Sequence, residues 1–438
     1  MMLSNLLNRV NLNSEIRKNF LILMVGTTIA QIIPFVFSPI LSRIFSTHDF
    51  GTFSQFTSIT GLLGIIVTGR YEIAIVLPKK DKDALNIFVL AMMIAIFMSF
   101  ISLLFILIFN NSISIIFKNP DLSIWLYFVP VSVLFIGLYQ CLNYWFNRTK
   151  DFKRLSLNKI TRNGGIVTSN IVVGLSKFGS GGLILGQIIG DGLAAVFFGF
   201  RFLKNNRDHK HDISLENIRK QAIIYKDFPL VNSLQALIDQ VKESGIILII
   251  TSLFTSSILG MYSFGYRVIS VPLGLVSYSV SQIYFQNTTT LYSNLKPISP
   301  FLFTILKKLV LISVFVFILI ILFIEPLFVF VFGSNWADAG TYIKYLSPYL
   351  AMSFIVSPIS MLPIILKKQK KNFVFSTIFN ILLLSSMVLG GVLTRNIYIT
   401  ILIYSVVSSL GLLFILCWYV YIARKFDLGL DQNVDNNI

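Results

Sequence analysis

The sequence predicts an all-α integral membrane protein of about twelve transmembrane helices. Its 438 residues are 55% hydrophobic and 13% charged, with a mean hydropathy of +0.78, whereas a soluble globular chain is about a quarter charged. Apolar stretches of about 20 residues, enough to cross the hydrocarbon core of a bilayer, recur from end to end. So few charges cannot cover a water-soluble particle of this size, and we expect the chain to lie in a membrane throughout.

Twelve apolar runs lie between the charge clusters, and each is expected to form one spanning helix. The runs lie near residues 19–43, 50–77, 84–109, 122–147, 154–176, 180–203, 229–254, 257–285, 301–332, 339–366, 372–394 and 397–423. The second, fifth, seventh and eighth runs are more polar than the others. The first run follows Arg9, Arg17 and Lys18 and reaches Ile44 without a small-residue cleavage site. This indicates a retained first helix rather than a signal peptide.

Lys and Arg residues alternate between the connections and predict the orientation. Of the 36, 25 fall in connections on one side, Lys80 and Lys296 among them, and 6 fall inside the runs. The other side holds 5: Arg43, Lys118, Lys177, Lys344 and Arg395. Because cytoplasmic loops are enriched in Lys and Arg, both termini are expected in the cytoplasm. The net charge of +17 is therefore assigned to topology and to contacts with anionic membrane lipids. No nucleic-acid partner is expected, because no aromatic and basic module stands apart from the runs.

The longest polar connection divides the runs into two sets of six. The predicted domains are an N-terminal six-helix bundle (1–204), a cytoplasmic linker with an amphipathic helix (205–228) and a C-terminal six-helix bundle (229–438). Gly51-Thr-Phe-Ser opens the second run, and Gly260-Met-Tyr-Ser opens the eighth, 209 residues later. Two parallel repeats with a substrate site between them near the bilayer midplane would give this pattern. Chance similarity between two run openings would give it as well.

Charged residues inside the runs define the candidate site, because an ionisable group in the hydrocarbon core costs at least about 2.5–3.5 kcal/mol. The candidate substrate-binding residues are Lys159, Arg162, Lys242, Arg267 and Arg70, and the candidates for ion coupling or charge pairing are Asp239, Glu243, Asp191 and Glu72. Helical spacing places the polar positions of the fifth and seventh runs on one face of each helix. We expect a water-accessible cationic cavity for an anionic group. The alternative is that Asp239, Glu243, Lys242 and Arg267 form structural ion pairs that lock helices together, and the two can coexist.

Some of these residues allow more than one interpretation. Arg70 and Glu72 are two residues apart and are expected not to share a helical face, so a gate or headgroup contact competes with snorkelling to the interface. Asp191, in the glycine-rich sixth run, is expected to be either a proton carrier or a residue that bonds helices together. Helix bends are permitted at three prolines, Pro34, Pro39 and Pro272.

The motifs of soluble enzymes are missing from the sequence. It contains no Gly-rich phosphate loop, no nucleophile elbow and no metal-ligand cluster. The two cysteines, Cys141 and Cys417, lie in apolar runs and do not indicate a disulfide framework. We therefore expect a transporter without a cofactor rather than an enzyme, and its energy would come from a gradient of H⁺ or Na⁺ or from that of the substrate.

Three segments carry a resemblance to a known family. They are Leu41-Ser-Arg-Ile-Phe-Ser, Phe50-Gly-Thr-Phe and Thr68-Gly-Arg-Tyr-Glu-Ile-Ala-Ile-Val-Leu-Pro78, the last followed by Lys79-Lys-Asp. In them the chain resembles the polysaccharide transporter family, the Wzx-type O-antigen and capsule flippases of the multidrug/oligosaccharidyl-lipid/polysaccharide exporter (MOP) superfamily. The later two-thirds of the chain match only in plan. The resemblance implies a MATE/MOP-like fold of two six-helix bundles.

The same resemblance implies a function. It is the translocation of undecaprenyl-pyrophosphate-linked oligosaccharide repeat units from the cytoplasmic to the periplasmic leaflet of the bacterial inner membrane by alternating access. Lys159, Arg162, Lys242 and Arg267 correspond by position to the basic residues that line the cavity in such flippases. A polysaccharide polymerase and a chain-length regulator are implied as further partners. A monomer is expected, because both halves of the pathway lie in one chain.

Two other classes of function remain open on the sequence. An ion-coupled multidrug or organic-cation exporter of the same superfamily would share the twelve-helix plan, but its cavity should be acidic or aromatic. A membrane scaffold, or an intramembrane enzyme such as a glycan polymerase, is the other alternative. A polymerase should have long outer loops, and every predicted outer loop of this sequence is short.

Overall fold

The computed structural model describes the backbone of residues 14–429 and the side chains of residues 22–429, apart from those of 208–210, 235 and 239. Within this range the regular secondary structure is helical, which confirms the predicted all-α class. Twelve helices are 20 residues or longer: α1 (Ser14–Ile44), α2 (Thr47–Ile66), α3 (Asp81–Ile116), α4 (Val129–Arg148), α5 (Phe152–Leu175), α6 (Ser180–Asn205), α7 (Ser233–Leu253), α8 (Ser256–Ser293), α9 (Ser299–Phe332), α10 (Ala337–Val356), α11 (Gln369–Thr394) and α12 (Ile397–Asp427).

Nine of these helices are long and apolar enough to cross a membrane by composition, and α2, α5 and α7 are the three that are not. They are the second, fifth and seventh predicted runs, which are rich in polar residues. In α2 the reason is visible, because five of its polar side chains are buried: Thr52, Ser54, Gln55, Ser58 and Thr60. A helix whose polar residues face protein does not need a uniformly apolar surface.

Three predicted runs are not single helices, and the run predicted at 122–147 is one of them, because a short helix, Leu122–Leu126, precedes α4. The run predicted at 50–77 breaks after Ile66, because Gly69 and Arg70 both adopt left-handed backbone angles of φ 60°. A short helix, Tyr71–Ala74, follows the break. The run predicted at 339–366 also divides, since α10 is followed by a 3₁₀ turn (Ser357–Ile359) and the short helix Leu362–Ile365. The apolar pattern of the sequence does not reveal left-handed residues or proline turns. The sequence analysis therefore predicted each pair of segments as one run.

The chain forms two compact units, Met1–Leu248 and Ile249–Ile438, and the division falls inside α7. In the first unit α5 packs against α1 and α6, while α4 packs against α3 and α6. The predicted domain limits at 204 and 228 stay a prediction. The helices α5 and α6 approach closely: a Cβ on Gly190 would lie 2.6 Å from the backbone nitrogen of Ile166. Small residues permit such close packing between membrane helices.

An aromatic core holds one end of the first unit together. The rings of Phe88 in α3 and Phe202 in α6 stack with centroids 4.1 Å apart, and Trp145 of α4 meets Phe202 edge-on at 5.0 Å. All three side chains are buried. Large aromatic contacts of this kind supply much of the packing energy of a core.

The predicted linker contains a helix, Leu215–Ile224, called here the linker helix, and it packs on α3 within the first unit. The Asn86 side chain in α3 donates to the Asp212 carbonyl at 2.9 Å and accepts from the Ser214 amide at 3.2 Å. The Tyr71 hydroxyl donates to the Ala222 carbonyl at 2.9 Å. Backbone groups at both ends of the linker helix are therefore bonded to side chains of the first unit.

In the second unit α10 packs against α8, α9 and α12, and α11 packs against α12. The aromatic ring of Phe264 in α8 meets buried Trp336 at 4.3 Å between centroids. The Asp427 carboxylate accepts from the amides of Ile298 and Ser299 at 2.6 and 2.9 Å. A carboxylate at this place satisfies amides that the first turn of α9 leaves without helical partners.

Candidate functional site

The polar face of α5 lies against α1. The Ser156 hydroxyl donates to the Ile22 carbonyl at 3.0 Å, and the Asn163 amide donates to the Ala30 carbonyl at 2.6 Å. Between them, the Lys159 ammonium donates to the Thr27 hydroxyl at 3.0 Å. Part of the polar face that the sequence predicts on α5 therefore forms a polar interface between α5 and α1.

Lys159 is a predicted basic residue whose bonded partner is neutral. Its side chain is half-buried, and in the described part of the chain no carboxylate lies within 4.0 Å of its ammonium. A lysine ammonium has three donor hydrogens, and the Thr27 hydroxyl accepts one of them. An ammonium in such surroundings has donors and charge available for an anionic ligand.

Arg162 lies one turn further along α5 and is paired across the interface with α6. Its guanidinium donates to the carboxylate of Asp191, which is fully buried. The Gln187 amide donates to the other oxygen of that carboxylate at 3.0 Å. The guanidinium also lies over the ring of Tyr139 in α4, 4.8 Å from its centroid. Of the two interpretations of Asp191, this geometry is that of a residue that bonds helices together.

Buried polar atoms without a hydrogen-bond partner surround this pair of helices. They include both side-chain atoms of Asn158 in α5 and the side-chain oxygens of Gln140 and Asn143 in α4. The Gln140 nitrogen donates to the Gly64 carbonyl of α2 at 3.1 Å. Groups of this kind are usually satisfied by water.

Arg70 and Glu72 form an ion pair, which the expectation of separate helical faces did not anticipate. The Arg70 guanidinium lies 3.6 Å from the carboxylate of Glu72, and the Thr68 hydroxyl donates to the same carboxylate. The expectation assumed a continuous helix. The left-handed backbone at Arg70 ends the helix and turns the two side chains toward each other.

The candidates of α7 include another pair of opposite charges. The Lys242 ammonium lies 3.2 Å from the carboxylate of Glu243, and the Glu243 side chain is 53% exposed. The side chain of Asp239, also predicted on this face, lies outside the described residues. The two residues are adjacent on one helix, so this pair does not by itself lock α7 to another helix, and the cavity and the structural ion pairs both stay predictions.

Arg267 is the predicted candidate that belongs to the second unit. It is the twelfth residue of α8, which places it about 17 Å along the helix axis from the first residue. Its side chain is exposed on the surface of the described structure. This exposure is compatible with contact to a substrate, and that role stays a prediction.

The sequence analysis missed a charged pair in the second unit. The Lys344 ammonium in α10 lies 3.4 Å from the carboxylate of Glu325 in α9, and both side chains are partly exposed. Lys344 was placed in an outer connection, and Glu325 was not among the predicted charges. The available signal was one carboxylate next to Pro326 in an otherwise apolar helical segment.

The whole chain can be compared with known families and structures. Residues 40–341 match the profile of the family described as polysaccharide biosynthesis protein. No curated protein matches the sequence. The lipid II flippase MurJ, in an inward closed conformation, is similar with a TM-score of 0.70 at 14% identity, over 93% of this chain and 90% of that chain.

Two further structures extend the comparison. An inward-facing multidrug resistance MATE family transporter of the MOP superfamily has a TM-score of 0.63 at 12% identity, over 92% of this chain and 94% of that chain. A MOP superfamily transporter from Pyrococcus furiosus has a TM-score of 0.59 at 14% identity, over 93% and 96%. These similarities confirm the predicted MATE/MOP-like fold. The nine long apolar helices among the described residues agree with the predicted multi-pass membrane protein. The chain belongs to the polysaccharide biosynthesis protein family.

Proposed function

We propose that this protein is a flippase for undecaprenyl-pyrophosphate-linked oligosaccharide repeat units of an O-antigen or capsule. It would carry them from the cytoplasmic to the outer leaflet of the bacterial inner membrane by alternating access. The family, which acts in polysaccharide biosynthesis, and the fold, which is similar to that of a lipid II flippase, support this proposal. The observation that carries it is the half-buried Lys159 ammonium, whose hydrogen bond goes to a neutral hydroxyl.

The diphosphate group of the substrate would supply the charged acceptor that the described surroundings of the Lys159 ammonium lack. Its oxygens are charged acceptors, and a bond from an ammonium to a charged oxygen is shorter and about twice as strong as a neutral one. A phosphate oxygen can therefore replace the Thr27 hydroxyl as acceptor with a gain in free energy. Arg162, Asp191 and Lys159 together carry a net single positive charge, which favours an anion over an organic cation.

The remaining candidates extend this site in the proposal. Arg70 and Lys242 each lie beside an acid, Glu72 and Glu243, that can hold the base while no substrate is bound. An anion that attracts the base would free the acid, which could then take up H⁺ or Na⁺ as the coupling ion. Arg267 in α8 is proposed as a further contact to the diphosphate, and Asp239 and Asp191 as further charge partners.

The alternative is an ion-coupled exporter of organic cations, and the similarity to multidrug transporters favours it. In the described first unit, the membrane-embedded acid Asp191 is already neutralised by Arg162. An organic cation approaching α5 would meet the ammonium of Lys159 and be repelled. We therefore rank the exporter second.

A complementation experiment tests the proposal. The host lacks its own flippase, carries the full glycan pathway and accumulates lipid-linked repeat units. Wild-type protein should restore surface polysaccharide, whereas Lys159→Ala should restore less than a tenth of it at matched membrane levels. Lys159→Arg should recover part of the activity because it keeps the charge. Lys153→Ala, an exposed lysine in the first turn of the same helix, is the matched control and should act like wild type.

Other outcomes would decide against parts of the proposal. Full activity of Lys159→Ala would show that this ammonium does not contact the substrate. Lys242→Ala and Arg267→Ala, tested in parallel, should each lower the restored polysaccharide if they contribute contacts. If wild type restores no polysaccharide but protects cells against cationic dyes, the exporter is the correct assignment.

A further inference from the structure

The second half of α8 has an unusual composition for a helix in a membrane protein. Of the 17 residues from 277 to 293, 13 carry a hydroxyl or amide side chain and none is charged. A helix facing lipid would be apolar, and a surface facing only water is commonly about 25–35% charged. The composition of residues 277–293 fits neither a lipid-facing nor a water-facing helix surface. It indicates that this surface contacts an uncharged polar group.

Nine residues of this segment are exposed, and five of them form one stripe along the helix. They are spaced by three or four positions, so they lie on the same face. We call them the α8 stripe: Tyr278, Gln282, Phe285, Gln286 and Thr289, all of them exposed. The opposite face is buried in the second unit and includes Ser277, Tyr284 and Thr288. The stripe is therefore a surface and not part of the packing of its own unit.

The hydrogen-bonding capacity of the α8 stripe is largely unused. In the described structure the side-chain amides of Gln282 and Gln286 make no hydrogen bond within the chain, and each offers two donor hydrogens and an acceptor oxygen. The Thr289 hydroxyl donates to the Phe285 carbonyl at 2.8 Å, which leaves its lone pairs able to accept. Two exposed aromatic rings, those of Tyr278 and Phe285, flank these groups.

We infer that the α8 stripe contacts the sugar residues of the lipid-linked oligosaccharide. This inference rests on the proposed flippase function and assigns the residues that contact the glycan part of the substrate. Uncharged sugars carry many hydroxyls, which pair with amides and hydroxyls, and apolar C–H faces, which pack on aromatic rings.

The location of the α8 stripe along the helix agrees with this role. The helix of 38 residues is about 57 Å long, and its polar half leads to Lys296, on the side predicted to be cytoplasmic, where the glycan enters.

The diphosphate and the sugars of the substrate differ in chemistry, so different residues would bind them. Lys159 and its neighbours would hold the diphosphate, which every substrate of this class shares. The α8 stripe would hold the sugars, in which the substrates differ. Substitutions in the stripe should therefore change the preference for the glycan and leave the affinity for the diphosphate unchanged.

Equilibrium binding of two radiolabelled lipids to the purified full-length protein tests this. One probe is undecaprenyl diphosphate without sugar, and the other is the lipid-linked repeat unit extracted from the complementation host. Wild type should bind the glycosylated lipid at least tenfold more tightly. Gln282→Ala/Gln286→Ala should lose at least tenfold in affinity for the glycosylated lipid and bind undecaprenyl diphosphate as wild type does. Phe285→Leu, which keeps an apolar side chain without the ring, should lose about threefold by loss of stacking.

Controls separate the possible failures. Val276→Ala, an exposed residue on another face of α8, should bind both lipids as wild type does. Unchanged binding of undecaprenyl diphosphate shows that the double variant is folded. If the double variant loses both lipids equally, or neither, the inference about the stripe is overturned, and a contact between helices is the better explanation of its composition. Equal binding of both lipids by wild type overturns it too while the flippase proposal stands. If wild type binds neither lipid, the flippase proposal itself fails, and the stripe assignment with it.

Discussion

The guanidinium of Arg162 in α5 donates to the fully buried carboxylate of Asp191 in α6. The acid is enclosed by protein, whereas the guanidinium side chain keeps 28% of its surface exposed. Removing one partner of a buried pair costs about 3–5 kcal/mol, because the other charge is left without compensation. The two partners are not equivalent, since the acid is the more deeply buried one.

Arg162→Ala should therefore lower the melting temperature of the purified protein more than Asp191→Asn does. The first variant leaves a buried carboxylate unpaired, and the second leaves a cation that can turn toward its exposed side. The double variant Arg162→Ala/Asp191→Asn should recover part of the loss. The measurement is thermal unfolding in detergent, and wild-type melting of both single variants would refute a structural role of the pair.

Close packing of α5 on α6 predicts a second result. A Cβ on Gly190 would lie 2.6 Å from the Ile166 nitrogen and 2.9 Å from the Arg162 carbonyl oxygen. Both are backbone atoms of α5, so Gly190→Ala should destabilise the protein by about 1–3 kcal/mol.

Gly199→Ala is the matched control on the same helix, because no atom of another helix lies within 4 Å of its added Cβ. Alanine favours a helix by about 0.8–1.0 kcal/mol over glycine, so this variant should melt at or above the wild-type temperature. Equal melting of the two variants would mean that the helices can separate at Gly190 without cost.

The attachment of the linker predicts a third result. Asn86→Ala removes the two hydrogen bonds to Asp212 and Ser214, each worth about 0.5–1.5 kcal/mol. Trypsin should then cleave at Lys204 or Arg207 several-fold faster, measured as the rate of loss of full-length protein. Lys82→Ala is the control, because its partly exposed pair with Asp212 spans 4.0 Å and pairs of this kind contribute about 0–1 kcal/mol. Equal cleavage rates for both variants would show that Asn86 does not hold the linker.

The distribution of basic residues predicts a fourth result. In a chain carrying Cys141→Ala and Cys417→Ala, a single cysteine replaces either Lys80 or Lys118, both exposed. A membrane-impermeant maleimide should label Lys118→Cys in intact cells and Lys80→Cys only after permeabilisation, because Lys-rich connections stay in the cytoplasm. Labelling in the reverse order would invert the predicted orientation.

The long helices could be predicted because the relevant signal is local. Each spanning segment needs about 20 apolar residues, and the twelve long helices of the described structure correspond to the twelve apolar runs. Even the three helices of lower hydropathy, α2, α5 and α7, belong to the runs that were identified as polar. The helix in the linker followed from its amphipathic pattern in the same way.

The partners of the charged residues could not be predicted in this way. Arg70 and Glu72 meet because the backbone is left-handed at Arg70, a conformation that residue type alone does not indicate for arginine. Glu325 and Lys344 meet across two helices, and their positions along the chain do not reveal this contact. Among the residues that were grouped as one set of cavity charges, Arg70, Arg162 and Lys242 each lie beside an acid, whereas Lys159 donates to a neutral hydroxyl.

Composition and the order of charges along the chain determined the membrane class, the predicted number of spans and the expected orientation. Transfer of an apolar segment from water into the bilayer depends on residues that are neighbours along the chain. The same holds for the enrichment of Lys and Arg in cytoplasmic loops. Only the tertiary structure decided which charges are neutralised. That outcome depends on distances of a few ångströms between helices, such as the approach of α5 to α6 at Gly190 that accompanies the pairing of Arg162 with Asp191. It also depends on backbone angles at single residues, such as Arg70. Lys159 became the central residue of the candidate site because the fold placed a threonine hydroxyl, and not a carboxylate, beside its ammonium.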